Sequence, residues 1–168
     1  MKQRFQSILF FLSALLMGAL FFMPLVSYLD DYGTYYKLYI YGVNAVSVAP
    51  GVELSFSSIY TLPVLILTVA VILLSFYISM SIFRAVKLQQ FVRLFKLSRI
   101  NVAILVVLIA TIYVYYLMKT GAPIAAVPSF RWPAWGAFLP LVALIMILIA
   151  SSGLKKDIDK VRSIDRLR

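Results

Sequence analysis

The sequence predicts an all-α membrane protein, a four-transmembrane-helix antiparallel bundle with a small β-hairpin in its first external loop. Of its 168 residues, 63% are hydrophobic, and four apolar runs contain no Asp, Glu, Lys, Arg or His. Each run approaches the ~20 residues that a helix needs to cross a bilayer core. A helix also satisfies all the backbone groups of a single crossing segment. The predicted spans are residues 6–28, 59–83, 101–118 and 135–152.

The distribution of charge predicts the orientation of this bundle. Thirteen of the 16 Lys and Arg residues lie before the first span, in the connection 84–100 or in the tail 153–168. By the positive-inside rule these parts are cytoplasmic, and the loops 29–58 and 119–134 are external. The loops and tail are too small for a soluble catalytic domain, so a single four-span membrane domain over 1–168 is expected. The first helix is expected to be retained, because no small-x-small cleavage pattern follows it.

The first external loop is predicted to contain two antiparallel strands. Residues 35–41 are rich in Tyr, residues 52–57 alternate apolar and polar side chains, and Gly- and Pro-containing turn signals separate the two segments. This pattern is typical of paired strands lying on the outer ends of helices. The layout resembles claudin-like tetraspan proteins in shape alone, because the loop lacks the tryptophan and paired cysteines of those proteins.

The middle connection, 84–100, has apolar side chains at helical spacing between basic ones. This pattern indicates a basic amphipathic segment in a headgroup layer, and it also fits a docking helix for a cytoplasmic partner. A basic face beside a membrane already accounts for the net charge of +10, so no nucleic-acid partner is expected. The candidate lipid-headgroup contacts are Arg84, Lys87, Arg93, Lys96 and Arg99.

The tail is predicted to form an amphipathic helix over 154–168. Leu154, Ile158, Val161 and Ile164 share one side and supply an anchoring face. Arginine and aspartate on the other side suit directional pairing with a protein, although a helix that only shields the bundle's inner end has the same pattern. The candidate partner-docking residues are Arg162, Asp165, Arg166 and Arg168.

The chain contains no Cys and no His. This excludes disulfides, thiol catalysis, histidine-ligated haem and nearly all zinc sites. No phosphate-binding loop, acidic pair or nucleophile–base pair is present either. The sequence therefore predicts a protein that is not an enzyme, with no catalytic residues, no cofactor and no metal site.

Three functions remain open. The first is a non-enzymatic scaffold or accessory subunit of an envelope secretion, insertion or assembly complex, with membrane lipids and other membrane proteins or a second copy of the chain as partners. The second is a transporter or channel subunit for a neutral or apolar solute, and the third is a lipid-handling protein. Ser75 and Ser79 share a helix face, which predicts a helix–helix contact. The transporter would instead need a polar cavity, whose candidate lining residues are Ser75, Tyr77, Ser79, Asn101, Thr111 and Tyr113.

Both ends of the chain carry short patterns, Gln-Arg-Phe-Gln-Ser at residues 3–7 and Val-Arg-Ser-Ile-Asp-Arg-Leu-Arg at residues 161–168. Together with four spans and a basic middle connection, they resemble a Bacteroidota family of four-helix membrane proteins of unknown function. The members of that family commonly have Gln-Arg-x-Gln starts and Val-Arg-Ser-x-Asp-Arg-Leu-Arg tails. The resemblance implies a bacterial inner-membrane location, and it implies no activity.

Overall fold

The computed structural model describes residues 2–29, 35–47, 61–85, 88–118 and 130–165, and these form a helical bundle with a small sheet at one end. A stretch of π-helix, Thr111–Met118, extends α3, and a 3₁₀ turn, Trp135–Phe138, leads into α4. The helices are α1 (Lys2–Ala19), α2 (Leu62–Arg84), α3 (Leu88–Ala110) and α4 (Leu139–Asp165). The strands are β1 (Val26–Leu29), β2 (Tyr35–Tyr39), β3 (Gly42–Ser47) and β4 (Phe130–Pro133).

The four helices form a closed ring in the order α1, α2, α3, α4, with α4 packed back against α1. The start of α1, the end of α2, the start of α3 and the end of α4 meet at one end, which we call the basic end because of its Lys and Arg residues. The opposite end carries the strands and is called the sheet end. Within the described residues, three helical stretches are long and apolar enough to cross a membrane, namely Leu62–Arg84, Gln89–Val114 and Trp135–Ser163.

The predicted first span, 6–28, is wrong at its outer end. Helix α1 stops at Ala19, its apolar stretch Phe5–Ala19 is shorter than the other three, and residues Val26–Leu29 form β1 instead. Pro24 explains the break, because it lacks an N–H group and disfavours helical geometry in the residue before it. A fully buried strand is also continuously apolar, so composition alone does not separate β1 from the helix.

The small antiparallel sheet is confirmed, but the predicted pairing of 35–41 with 52–57 is wrong. The strand order is β3-β2-β1-β4, so both edges of β2 are already occupied, by β3 and β1. The turn lies at Ile40 and Tyr41, and Gly42, interpreted from the sequence as part of a turn, begins β3 opposite Tyr39. Residues 52–57 lie outside the described part of the chain. Strand β4, from the second connection, was not predicted.

Backbone hydrogen bonds fasten the sheet to the helices. The Leu25 amide donates to the Leu38 carbonyl (2.7 Å), the Ala134 amide to the Leu25 carbonyl (3.0 Å) and the Gly136 amide to the Pro24 carbonyl (3.0 Å). Cross-strand partners with almost no exposed surface form the face toward the core, and these are Val26 opposite Leu38 and Tyr28 opposite Tyr36. The buried face of the sheet is therefore continuous with the bundle's core.

The basic connection and the tail are not separate amphipathic helices. Helix α3 runs without a break from Leu88 through the predicted boundary near residue 100, and α4 runs through residue 153 to Asp165. Helix α4 continues through Gly153, and this position lies against the Gln6 side chain, where an added Cβ would be 2.7 Å from Nε2. A single rigid helix thus joins the sheet end to the tail.

A polar contact lies at each of the four helix interfaces, toward the basic end. Ser7 and Ser79 exchange hydrogen bonds between side-chain hydroxyls and backbone carbonyls, at 2.7 and 2.9 Å. This confirms Ser75 and Ser79 as helix-contact residues, since Ser75 accepts a bond from a side chain of α3. The other three contacts are Asn101 Nδ2 to Ser75 Oγ (2.7 Å), Gln6 Nε2 to Asp157 Oδ2 (2.8 Å), and Ser98 with Ser151.

Gly136→Ala should destabilise the protein by about 1–3 kcal/mol, the usual range for overpacking. An added Cβ would lie 2.4 Å from the Pro24 carbonyl oxygen, and that backbone atom is fixed by its own hydrogen bond. Gly18→Ala is the matched control, because nothing lies within 4 Å of its added Cβ and alanine favours the helix by up to about 1 kcal/mol. Reversible unfolding in detergent measures both. Equal stabilities of the two variants would contradict the close approach.

Ser79→Ala should cost roughly 0.5–1.7 kcal/mol, as measured for hydrogen bonds between membrane helices. It removes one donor to the Ser7 carbonyl and one hydroxyl contact. Ser152→Ala is the control, because the exposed Ser152 hydroxyl bonds only within its own helix, to the Ile149 carbonyl. The same unfolding experiment compares them, and an effect of Ser152→Ala as large as that of Ser79→Ala would refute an interhelical role.

Candidate functional sites at the two ends of the bundle

A cleft of about 310 Å³ opens between the end of α2 and the start of α3 at the basic end. Two of the predicted headgroup-contact residues line it, Arg84 from α2 and Arg93 from α3. Both side chains are exposed. The remaining lining residues are Tyr77, Ser81, Ala85, Gln90, Leu94 and Leu97.

The structure does not bring all five predicted headgroup contacts together. Lys96 lines a separate, shallower cavity of about 390 Å³ beside Arg93. The guanidinium carbon of Arg99 lies 5.0 Å from the centre of the Phe95 ring, in cation–π geometry. Lys87 lies outside the described residues. The sequence identified the basic segment, but only the packing of α2 on α3 selects Arg84 and Arg93 from it.

Of the four residues predicted to form the anchoring face of the tail, Leu154 and Ile158 are buried, Val161 is half-buried, and the side chain of Ile164 lies outside the description. Leu154 has no exposed surface, and Arg162, one helical turn after Ile158, is exposed. The Asp157 carboxylate accepts a hydrogen bond from the Gln6 side chain. The Asp165 side chain, Arg166 and Arg168 lie outside the description, so the docking role of this set stays a prediction. Sequence reasoning missed Gln6, because a partner 151 residues away leaves no local signal.

The residues proposed for a solute cavity do not line one together. Ser75 and Asn101 bond to each other, and Tyr77 is 58% exposed and lines the cleft between α2 and α3. Thr111 donates to the Val107 carbonyl of its own helix. Tyr113 donates to the Ala137 carbonyl near the sheet end. Ser75, Asn101 and Tyr113 thus make contacts between elements of the bundle at separate points, whereas Tyr77 and Thr111 do not.

The sheet end carries an aromatic cleft of about 420 Å³ beside β1, β2, β4 and the start of α4. The Tyr35 ring stacks on Trp132 with 5.7 Å between centroids, and its hydroxyl donates to Ser27 at 3.2 Å. The Lys37 ammonium lies 5.6 Å from the centre of the same Tyr35 ring. Trp135, 83% exposed, projects beside the cleft. Aromatic rings and one cation at this position are typical of a membrane–water boundary.

No group of three or more His, Cys, Asp or Glu that could hold a metal ion occurs in the described ranges. Searches of curated proteins and of solved structures give no significant match. A family model described as "Domain of unknown function (DUF4293)" matches residues 2–167, nearly the whole chain. The protein therefore belongs to the DUF4293 family.

Proposed function

We propose that this protein is a non-enzymatic scaffold or accessory subunit of a bacterial inner membrane, with a role in an envelope secretion, insertion or assembly complex. The observation that carries the proposal is the continuity of α4 over 27 residues. This helix starts beside the sheet and ends in the tail, so it fixes the distance and angle between two extramembrane surfaces. A rigid link of this kind suits a protein that positions partners on both sides of a membrane.

The use of polar side chains supports a scaffold over a transporter. Within the described helices, Ser7, Ser75, Ser79 and Asn101 are all engaged in contacts between neighbouring helices. A solute pathway needs polar groups that face a common cavity and exchange partners with the solute. Interhelical hydrogen bonds in an apolar bundle instead define which helices are neighbours.

The charge pattern supports a cytoplasmic basic end and an external sheet. Three helices have the length and composition of membrane spans. Helix α1 has 18 residues, which at a rise of about 1.5 Å per residue gives about 27 Å, close to the ~30 Å hydrocarbon core. In this proposal α1 is the fourth span, and the sheet lies at the external boundary directly after it.

Single cysteines should report this topology without background, because the chain contains none. In spheroplasts treated with a membrane-impermeant maleimide, Asn44→Cys in β3 should be labelled, since Asn44 is exposed at the sheet end. Gln89→Cys and Ser163→Cys, exposed at the basic end, should react only after permeabilisation. Labelling of Ser163→Cys in sealed spheroplasts would overturn the orientation.

Arg162→Glu should release copurifying proteins while leaving the bundle's unfolding midpoint unchanged. Arg162 is exposed on the tail, and reversing its charge opposes any guanidinium–carboxylate pairing with a partner. Lys156→Glu is the control, an exposed residue of α4 with the same change of charge. Quantitative mass spectrometry after purification in mild detergent makes the comparison. Equal partner recovery from both variants would reject docking through Arg162, and loss of stability would indicate a shielding role.

A further inference from the structure

We infer that the cleft between α2 and α3 at the basic end binds the headgroup phosphate of an anionic phospholipid. The inference deepens the proposed membrane location and rests on it. Arg84 and Arg93 reach the cleft from different helices, and guanidinium groups match phosphate oxygens with paired hydrogen bonds. The Ser81 hydroxyl and Gln90 amide add polar groups, and none of the described lining residues is acidic.

The cleft is amphipathic along its length. On α2, Tyr77, Ser81 and Arg84 line it at i, i+4 and i+7, and therefore on one face of the helix. On α3, Leu97, Leu94 and Gln90 line it at the same spacing, in the opposite chain direction. Because the two helices are antiparallel, both walls change from apolar to polar toward the basic end. Seven residues correspond to about 10 Å of helix.

This gradient favours a lipid over a soluble phosphate. At the apolar end Tyr77 is 58% exposed, and the neighbouring outer side of α2 presents Phe76 and Met80, which are about half exposed. Acyl chains can lie along that side while the headgroup occupies the cleft. The volume of about 310 Å³ is at the lower limit for small-molecule sites, which suits a headgroup but leaves the chains outside.

The other basic residues at this end provide a matched control. Lys96 and Arg99 are also exposed on α3, but neither lines the cleft. Replacing Lys96 and Arg99 by neutral residues removes two positive charges, as many as replacing Arg84 and Arg93. A difference between the two pairs therefore measures the site, while a common effect measures general attraction to an anionic surface.

The experiment is native mass spectrometry of the purified full-length protein in detergent, titrated with phosphatidylglycerol. Arg84→Gln/Arg93→Gln should weaken phosphatidylglycerol binding roughly tenfold or more, because it removes charge-assisted hydrogen bonds to the phosphate. Lys96→Gln/Arg99→Gln should change it less than about twofold, since these side chains lie outside the cleft and their exposed charges are screened by solvent. Equal weakening by both pairs overturns the inference. Should the glutamine pair unfold, Arg84→Lys/Arg93→Lys keeps the charge but loses the paired geometry, and should still bind more weakly than the wild type.

A competition separates the two sources of phosphate. Glycerophosphoglycerol, the deacylated form of phosphatidylglycerol, has the same phosphodiester without acyl chains, so it should not displace phosphatidylglycerol at equal concentration. Displacement would assign the cleft to a soluble phosphate ester and reject the lipid. Membrane fractionation of the expressing cells, before detergent is added, tests the proposed location independently. Wild-type protein in the membrane fraction with no preference between the variant pairs would refute the lipid site alone, whereas protein absent from the membrane would refute both.

Discussion

The contact between α1 and α4 is the constraint on which the rest of the fold depends, because it joins the first helix of the chain to the last. At the sheet end the Gly136 amide donates to the Pro24 carbonyl, and at the basic end Gln6 donates to Asp157. Glycine permits both approaches. An added Cβ would meet the Pro24 oxygen at 2.4 Å at position 136, and the Gln6 side chain at 2.7 Å at position 153. The packing of α4 against α1 closes the ring of helices.

Each of the other three helix interfaces has a polar side-chain contact toward the basic end. The α2–α3 pair is held by Asn101 and Ser75, and it meets α1 through the Ser7–Ser79 pair. In hydrocarbon, the setting proposed for this bundle, apolar side chains do not distinguish a neighbouring helix from lipid, so such bonds would specify neighbours more than they add stability. These contacts lie toward the basic end. At the sheet end, backbone hydrogen bonds join β1 to β2 from the first connection and to β4 from the second.

The apolar runs predicted four helices because helical membrane segments are encoded by composition over a long window. Strand pairing is encoded by tertiary contacts, and the sequence therefore missed β4 and assigned β2 the wrong partner. The end of α1 was also mistaken, although Pro24 is a local signal, because the following residues Leu25 and Val26 are as apolar as a span. For the basic cleft, the sequence supplied Arg84 and Arg93 among five candidates. Their convergence depends on how α2 packs against α3, which no local pattern specifies.

The ring order also separates the two proposed interaction surfaces. The tail extends from α4, on the α1–α4 side of the bundle, whereas the cleft with Arg84 and Arg93 lies at the opposite interface, between α2 and α3. A lipid in the cleft and a protein on Arg162 therefore do not compete for the same space. A bound headgroup would offset part of the positive charge of Arg84 and Arg93, which both line the cleft between α2 and α3. In a scaffold this would secure the α2–α3 side at the membrane boundary, while α4 remains free to connect the sheet with a partner.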